Sequence, residues 1–511
     1  MKRTGVLLAI CMQLVGCQNN GEDEPPMREP DYVKMEDGVT VFEAPADGCD
    51  LTINFSTNTV WNVEYGRYAE GYVAAPLQES GGAGNHKMTV TVTPNVGVDA
   101  LPRSFQFSIK AGLASAEITI TQQPNIIQLP DEAEVRTYLI QLYNDAGLAN
   151  CKWAAKWGSD LPINEWGPEV NYEKGRLNLY LSDRKLKGKI NLSGCKALES
   201  LRCSKNQISE INVSNCPLLN YIDATNVGLK SINLEGCLSI NRLSVPYNPL
   251  TDIDIAWSST ISELQVHDCN LTTIDLERCE WLSTVGVNNN RLRDINIPRR
   301  GHLRLFFCYS NELSTLDLSN TPLLQLLNCG ENNLTELNVK GCPRLHALYC
   351  YDNRLSSVDV DDQKNVLSQY YCYSNLFGTL NLDGFRELSE LHCSDNGLTS
   401  LNIAGCKKIR WLYCSYNKLD ELDISAPDRD TFERLDCSYN RMRKIDITSM
   451  RPLRLWCQGN LIGGEIPEHF DRLLEFEYDV RYEYYPENST YTDRGYGWYY
   501  PGEPEKMQHC R

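Results

Sequence analysis

The chain is expected to be a multidomain protein dominated by a parallel β-solenoid, on three observations. The first is a repeat. Cysteine recurs at Cys203, Cys308, Cys329, Cys350, Cys372, Cys393, Cys414, Cys437 and Cys457, in steps of 21 or of 20, 22 or 23, with five steps of 21 separating Cys203 from Cys308. Ala224, Val245, Val266 and Val287 fill the missing places, so thirteen rungs share a position that takes Cys, Ala or Val. Free Cys packs as a small hydrophobe, which explains the exchange. A period of this length marks stacked turns, each burying its apolar face on the next. The second is a column of Asn three residues after the rung position. The third is a change of pattern outside the repeats, strand-like before about residue 124 and helical from 130.

The Asn column comprises Asn206, Asn248, Asn290, Asn311, Asn332, Asn353, Asn375, Asn396, Asn417, Asn440 and Asn460, with Val227 and Cys269 as departures. The chain must turn sharply there, and an amide carrying both donors and an acceptor can pair the buried backbone of the turn from rung to rung. Two residues before each rung position stands an apolar residue such as Leu201, Leu264 or Leu412. Aliphatics five, eight and ten residues after it, as at Leu398, Leu401 and Ile403, line the opposite wall. A second cysteine column, Cys216, Cys237, Cys279, Cys342 and Cys406 with Cys195 before them, follows the first by thirteen residues. In-register parallel strands lie about 4.8 Å apart. A disulfide wants its Cβ atoms at ~3.5–4.5 Å, so free buried thiols are expected. Paired CxxC or Cys/His spacing for zinc is missing from the sequence.

The phrase LxxLxCxxNxLxxLDLSxC over residues 176–462 resembles the leucine-rich repeat family, and within it the cysteine-ladder internalins, which are bacterial surface adhesins. The resemblance implies a parallel-sheet horseshoe that binds a protein through its concave face. Residues 33–124 alternate in strand fashion, most clearly in Met88–Thr93 and Ala116–Thr121, and suggest a β-sandwich. Phe55, Trp61, Gly81-Gly82-Ala83-Gly84-Asn85, Asn95, Arg103 and Ile118–Gln122 give this stretch a likeness to BACON domains of Bacteroidetes lipoproteins. That likeness implies either sugar binding or a spacer; Tyr68 and Tyr72 stand where members often carry a further Trp. Over 125–175, Glu132, Val135, Tyr138, Leu139 and Leu142 fall at helical spacing, and Trp153, Trp157 and Trp166 follow. This resembles the N-terminal cap of leucine-rich arrays, which shields the first rung's core and strand edge. Residues 463–511, dense in Tyr, are expected to form an aromatic C-terminal cap. Roles for Cys49, Cys151 and Cys510 do not follow from the repeat.

Residues 1–17 carry Lys2 and Arg3 before an apolar run too short to span a bilayer, as in a signal peptide. Leu14-Val15-Gly16-Cys17 resembles a bacterial lipobox, which implies that Cys17 is lipidated and that the protein is an outer-membrane, surface-exposed lipoprotein. Residues 18–32, polar and acidic with three prolines, are expected to be a flexible tether. The 511 residues carry 49 basic and 67 acidic side chains, net −18, which disfavours nucleic acid and anionic bilayers as partners.

Catalytic constellations are missing from the sequence. Its seven histidines lack HExxH spacing, and neither a GxSxG elbow nor a phosphate loop occurs. A non-enzyme without cofactor or metal is expected; Asp359, Asp361 and Asp362, at a one-residue insertion, could hold Ca²⁺ but read first as a solvated loop. Asn and Asp nine residues after each rung, including Asp254, Asp275, Asp317 and Asp423, read as a solvated convex edge. The informative surface is the sheet face beside the rung position. Residues one before it are small or polar early (Arg202, Asp223, Ser244, Gln265, Gly286), then become Phe307, Asn328, Tyr349, Tyr371, His392, Tyr413, Asp436 and Trp456. Tyr309, Tyr351 and Tyr373 follow one after the rung position, and Trp411 lies three before Cys414. These ten aromatic or His residues are either cross-strand packing or a ligand face for a protein or glycoprotein such as mucin. The alternative function is glycan capture for a polysaccharide-uptake system through the BACON-like domain.

Overall fold

The computed structural model describes residues 29–65, 80–255, 260–298, 302–428, 430–445, 454–461 and 475–477. Cys17, most of the tether, Tyr68, Tyr72, Cys510 and the expected C-terminal cap, apart from the strand Glu475–Glu477, lie outside them. Among the described residues no helix is long and apolar enough to cross a membrane.

The chain divides into two units. The first holds two sheets. One is antiparallel and comprises Val33–Met35, Cys49–Thr57 and Gly84–Val92. The other runs Val41–Ala44, Ala114–Gln122, Arg103–Ala111, Trp61–Tyr65 and Ser80–Gly81. Period-two alternation builds the core: Met88, Val90 and Val92 are buried, as are Phe105, Phe107 and Ile109, while the threonines between the first three stay less covered. Trp61 is fully buried, edge-on to Phe55 at 4.8 Å. Gly81 is needed there, because a Cβ on it would lie 2.6 Å from the Trp61 Nε1. Val96–Gly97 runs parallel to Asn125–Ile126, and this pairing groups Thr93–Ala100 with the second unit.

After that strand pair the second unit continues with the helix Glu132–Asp145, capped by Asp131, whose side chain accepts from the Glu134 N–H at 2.9 Å. Val135, Leu139 and Leu142 are buried in the same apolar core as the solenoid. Trp157 and Trp166 join them, with Trp153 packed at the margin. Val170–Glu173 then pairs antiparallel with Arg176–Tyr180, and from there the main sheet adds one short parallel strand per turn to Glu475–Glu477, sixteen strands in all. Each strand occupies the three residues before the rung position, as Leu326–Asn328 precedes Cys329. Their middle residue is buried and the outer two lie on the open face.

All eighteen described cysteines are free thiols, sixteen of them buried. Burial pushes the rung thiols up, Cys308 and Cys372 among them. The residue two after the rung position has positive φ in every turn, from Lys205 and Asn226 through Ser310 and Glu331 to Tyr439 and Gly459. Only the last is glycine, and a left-handed conformation costs an L-residue ~1–2 kcal/mol. The following Asn offsets that cost. Asn332 Nδ2 donates to the carbonyls of Cys308 (3.1 Å), Cys329 (3.2 Å) and Gly330 (3.0 Å), while its Oδ1 accepts from Leu313 N–H at 3.0 Å. At the departures the backbone finds substitutes. Cys269 Sγ donates to Val245 O, 24 residues back as the amides do, and Val227 accepts Ile208 N–H with its own carbonyl.

The second cysteine column is mostly one of donors, with Phe385 as an apolar departure. Cys216, Cys237, Cys279, Cys342 and Cys406 each donate Sγ–H to a carbonyl 24 residues back. Gln363 occupies the same place and gives its Nε2 to Val339 O at 2.9 Å; Thr321 gives its hydroxyl to Leu318 O. This explains why donors recur here whereas the first column accepts Ala and Val. The Asn/Asp edge is also more ordered than a merely solvated margin. Asn212, Asp275, Asp317 and Asp423 each accept the backbone N–H two residues on, and Asn338 bridges to Asp317 at 2.9 Å. Asp359 takes Asp361 N–H, and Asp362 takes Gly341 N–H. Among the described residues no group of three potential ligands is placed to hold a metal ion.

Candidate ligand-binding face

The open face of the main sheet carries the predicted site residues because alternation turns outward the neighbours of each buried middle residue and of each buried rung residue. All ten stand there: Phe307, Tyr309, Tyr349, Tyr351, Tyr371, Tyr373, His392, Trp411, Tyr413 and Trp456. None is freely exposed as the sequence suggested; each is half-buried. The parallel register is the cause, because it sets like residues side by side one strand spacing apart. Tyr349 meets Tyr371 edge-on at 4.9 Å, and His392 lies 5.9 Å from Tyr371 and 5.2 Å from Tyr413. In the adjoining column Tyr351 stacks on Tyr373 at 4.8 Å and 6°, and Tyr373 meets His392 at 4.2 Å. A Cβ at Gly330 would lie 2.5–2.7 Å from three carbons of the Tyr351 ring, so glycine is what lets that ring lie flat over the preceding turn.

Six residues therefore form one contiguous cluster: Tyr349, Tyr351, Tyr371, Tyr373, His392 and Tyr413. Trp411 sits beside it and differs in partner, with the Arg434 guanidinium 4.7 Å over its ring and its Nε1 donating to Glu433 at 3.0 Å. Phe307 and Trp456 flank the cluster on other turns without ring contact to it. The phenols are engaged too. Tyr349 donates to Gln369, Tyr371 donates to Glu390 at 2.5 Å, and Tyr413 accepts from Arg434 at 3.4 Å.

Electrostatics follow from that burial. Desolvation among the rings pushes the His392 imidazole down to about 3, so it is neutral at physiological pH. The Tyr351 phenol is pushed up to about 12, again chiefly by burial. Tyr371 is raised by burial and by its bond to the Glu390 carboxylate. Within this cluster the face presents neutral ring edges and hydroxyl oxygens, and Tyr351 and Tyr373 have both faces covered.

The early turns are not the plain polar surface that the sequence suggested. Arg202 lies between Tyr180 and Tyr221, its guanidinium carbon 5.4 and 5.0 Å from the ring centroids, and Arg242 covers Tyr221 at 5.7 Å. Following only the residue before each rung position misses this stack. Tyr221 and Arg242 stand three before Ala224 and Val245, and that position also faces outward.

No family model and no curated protein matches the chain. Solved structures that it resembles include leucine-rich repeat proteins. The functional domain of InlJ from Listeria monocytogenes, which includes a cysteine ladder, is 23% identical over 54% of this chain and 67% of its own, with a TM-score of 0.45. A leucine-rich repeat protein of Leptospira interrogans is 22% identical over 59% and 95%, at 0.44. YopM, a leucine-rich effector of Yersinia pestis, is 19% identical over 64% and 100%, at 0.43. The fold seen in the chain itself, one short parallel strand per turn over buried cysteine and asparagine columns, is the leucine-rich repeat fold that its period implied.

Proposed function

We propose that the chain is a non-catalytic recognition protein, held at the bacterial surface by lipid on Cys17, that binds a protein or glycoprotein across the open face of its main sheet. The observation that carries this reading is the contiguous cluster from Tyr349 to Tyr413, half-buried and electrically neutral in the middle of an acidic chain. Aromatic residues with covered faces and accessible edges offer area and hydrogen-bonding oxygens at little entropic cost, as protein interfaces use them. A sugar ring stacks on an open aromatic face, which Tyr351 and Tyr373 lack. The sandwich buries its Trp61, so the described part of that unit offers no tryptophan platform for glycan capture.

The test is a binding screen of the full chain against an array of extracellular proteins, mucins included, repeated with two triple variants. Tyr349→Ser, Tyr371→Ser and Tyr413→Ser together remove cluster edges. Thr315→Ala, Glu336→Ala and Ser357→Ala alter exposed residues elsewhere on the turns. Binding is expected to be lost in the first and kept in the second. Equal effects of both triples, with the fold intact by circular dichroism, would reduce the cluster to sheet packing. Failure of labelled palmitate to enter the wild-type protein, while it enters a control lipoprotein, would remove the anchor.

A further inference from the structure

The Arg202 stack at the start of the sheet is a second site, distinct from the aromatic cluster. Three guanidiniums, Arg176, Arg202 and Arg242, line one concavity there with Tyr180 and Tyr221. Arg176 is paired with Glu199 at 2.7 Å and Arg242 with Glu263 at 2.6 Å. Asp223, in register with Arg202 on the next strand, turns its Oδ1 to Ser204 and to the Thr225 N–H and hydroxyl and makes no ion pair with Arg202. Arg202 has no carboxylate partner among the described residues. Its guanidinium carbon lies over two tyrosine rings, and among the described residues its N–H groups meet no hydrogen-bond acceptor.

We infer that Arg202, clamped by Tyr180 and Tyr221, binds a carboxylate, the acidic side chain of a polypeptide partner. A planar guanidinium with free parallel donors matches a carboxylate bidentately, which a lysine ammonium cannot do. Cation–π contact on its faces holds the fork in place before the ligand arrives. Peptide is favoured over acidic sugar because guanidiniums approach Tyr221 from both Arg202 and Arg242, and Tyr180 is engaged by Arg202, which leaves the donor edge and not a ring face as the open valence. This inference deepens the proposed function by naming the partner's chemistry, yet it uses different residues, so either can fail alone.

The experiment measures binding of a fluorescent hexaglutamate peptide, and of oligogalacturonate as the acidic-sugar probe, to the full chain by anisotropy at low salt. Arg202→Gln and Arg202→Lys are compared with wild type. Arg202 is exposed, so both variants are expected to melt with the wild type. Hexaglutamate affinity should fall about tenfold in Arg202→Gln and by a smaller but clear factor in Arg202→Lys, the loss that removal of a bidentate charge-assisted pair implies. A Tyr349, Tyr371 and Tyr413 triple variant should keep it. Absence of hexaglutamate binding in the wild type, equal binding by Arg202→Gln, or full rescue by Arg202→Lys would overturn the bidentate site. Oligogalacturonate binding more tightly with the same Arg202 dependence would assign the site to sugar acids and overturn the peptide reading.

Discussion

Replacing Asn332 by Ala isolates what the asparagine column does. The side chain makes four hydrogen bonds, three to carbonyls and one from Leu313 N–H. The carbonyls are doubly served: Cys308 O also accepts from Asn311 Nδ2 at 3.0 Å, Cys329 O from Asn353 Nδ2 at 3.1 Å, and Gly330 O from Ser310 N–H at 3.0 Å. They survive the substitution with one partner each. Leu313 N–H does not, and a buried orphaned donor costs about 1–3 kcal/mol. Losing the three remaining bonds and leaving a small cavity adds to it, for a total of about 2–4 kcal/mol. Asn332→Cys, copying Cys269, keeps a donor for the carbonyl 24 residues back and is expected to fall between Ala and wild type. Guanidinium unfolding followed by circular dichroism reads both. An Ala variant within about 0.5 kcal/mol of wild type, the usual range of a surface change, would refute the view that these amides satisfy buried backbone.

Two further perturbations have worked signs. His392 is held at about 3 when folded and returns to an ordinary value near 6.5 when unfolded. The unfolded chain therefore takes up the proton first as pH falls, and stability present above pH 6.5 drains between 6.5 and 3, by about 2 kcal/mol at pH 5. His392→Phe should flatten that part of the profile in unfolding titrations at pH 7 and 5; an unchanged profile would contradict the neutral, desolvated imidazole. Tyr370 occupies the buried middle position where most turns carry an aliphatic residue, and its hydroxyl faces only the Cys350 and Cys372 thiols, with no oxygen or nitrogen partner. Tyr370→Phe is expected to be neutral or to stabilise by about 1 kcal/mol, and a loss above that size would show a bond to the neighbouring thiols.

The repeat was legible because a single core position recurs with a fixed step and admits only small apolar side chains. The asparagine column was legible for the same reason, since only an amide can serve three carbonyls and an N–H at once. The left-handed residue just before it was not. Lys205, Tyr247, Asp268 and Glu331 share no chemistry, and the tertiary ladder, not propensity, imposes their conformation. The donor role of the second cysteine column was hidden while Cys was read only as a hydrophobe; Thr321 and Gln363 in that column were the available clue. Exposure of Tyr349 and Tyr371 was overestimated because alternation tells which way a side chain leaves the sheet, whereas stacking on the next turn decides how much of it water reaches. The Arg202 stack escaped notice because two outward columns flank each buried residue and only one of them was followed on the early turns.

The solenoid columns all depend on one register, in which each turn sets its residue directly over the equivalent residue of the turn before. Cysteine accessibility tests that register at many places at once. Iodoacetamide labelling of the native full chain without reductant, mapped by mass spectrometry, should leave the sixteen buried cysteines unmodified, from Cys195 to Cys457, while Cys49 and Cys151 react more readily. After guanidinium denaturation all eighteen of these described cysteines should carry the label. Disulfide-linked peptides joining neighbouring turns, such as Cys350 with Cys372, or native labelling along the Cys308–Cys457 column, would contradict the account.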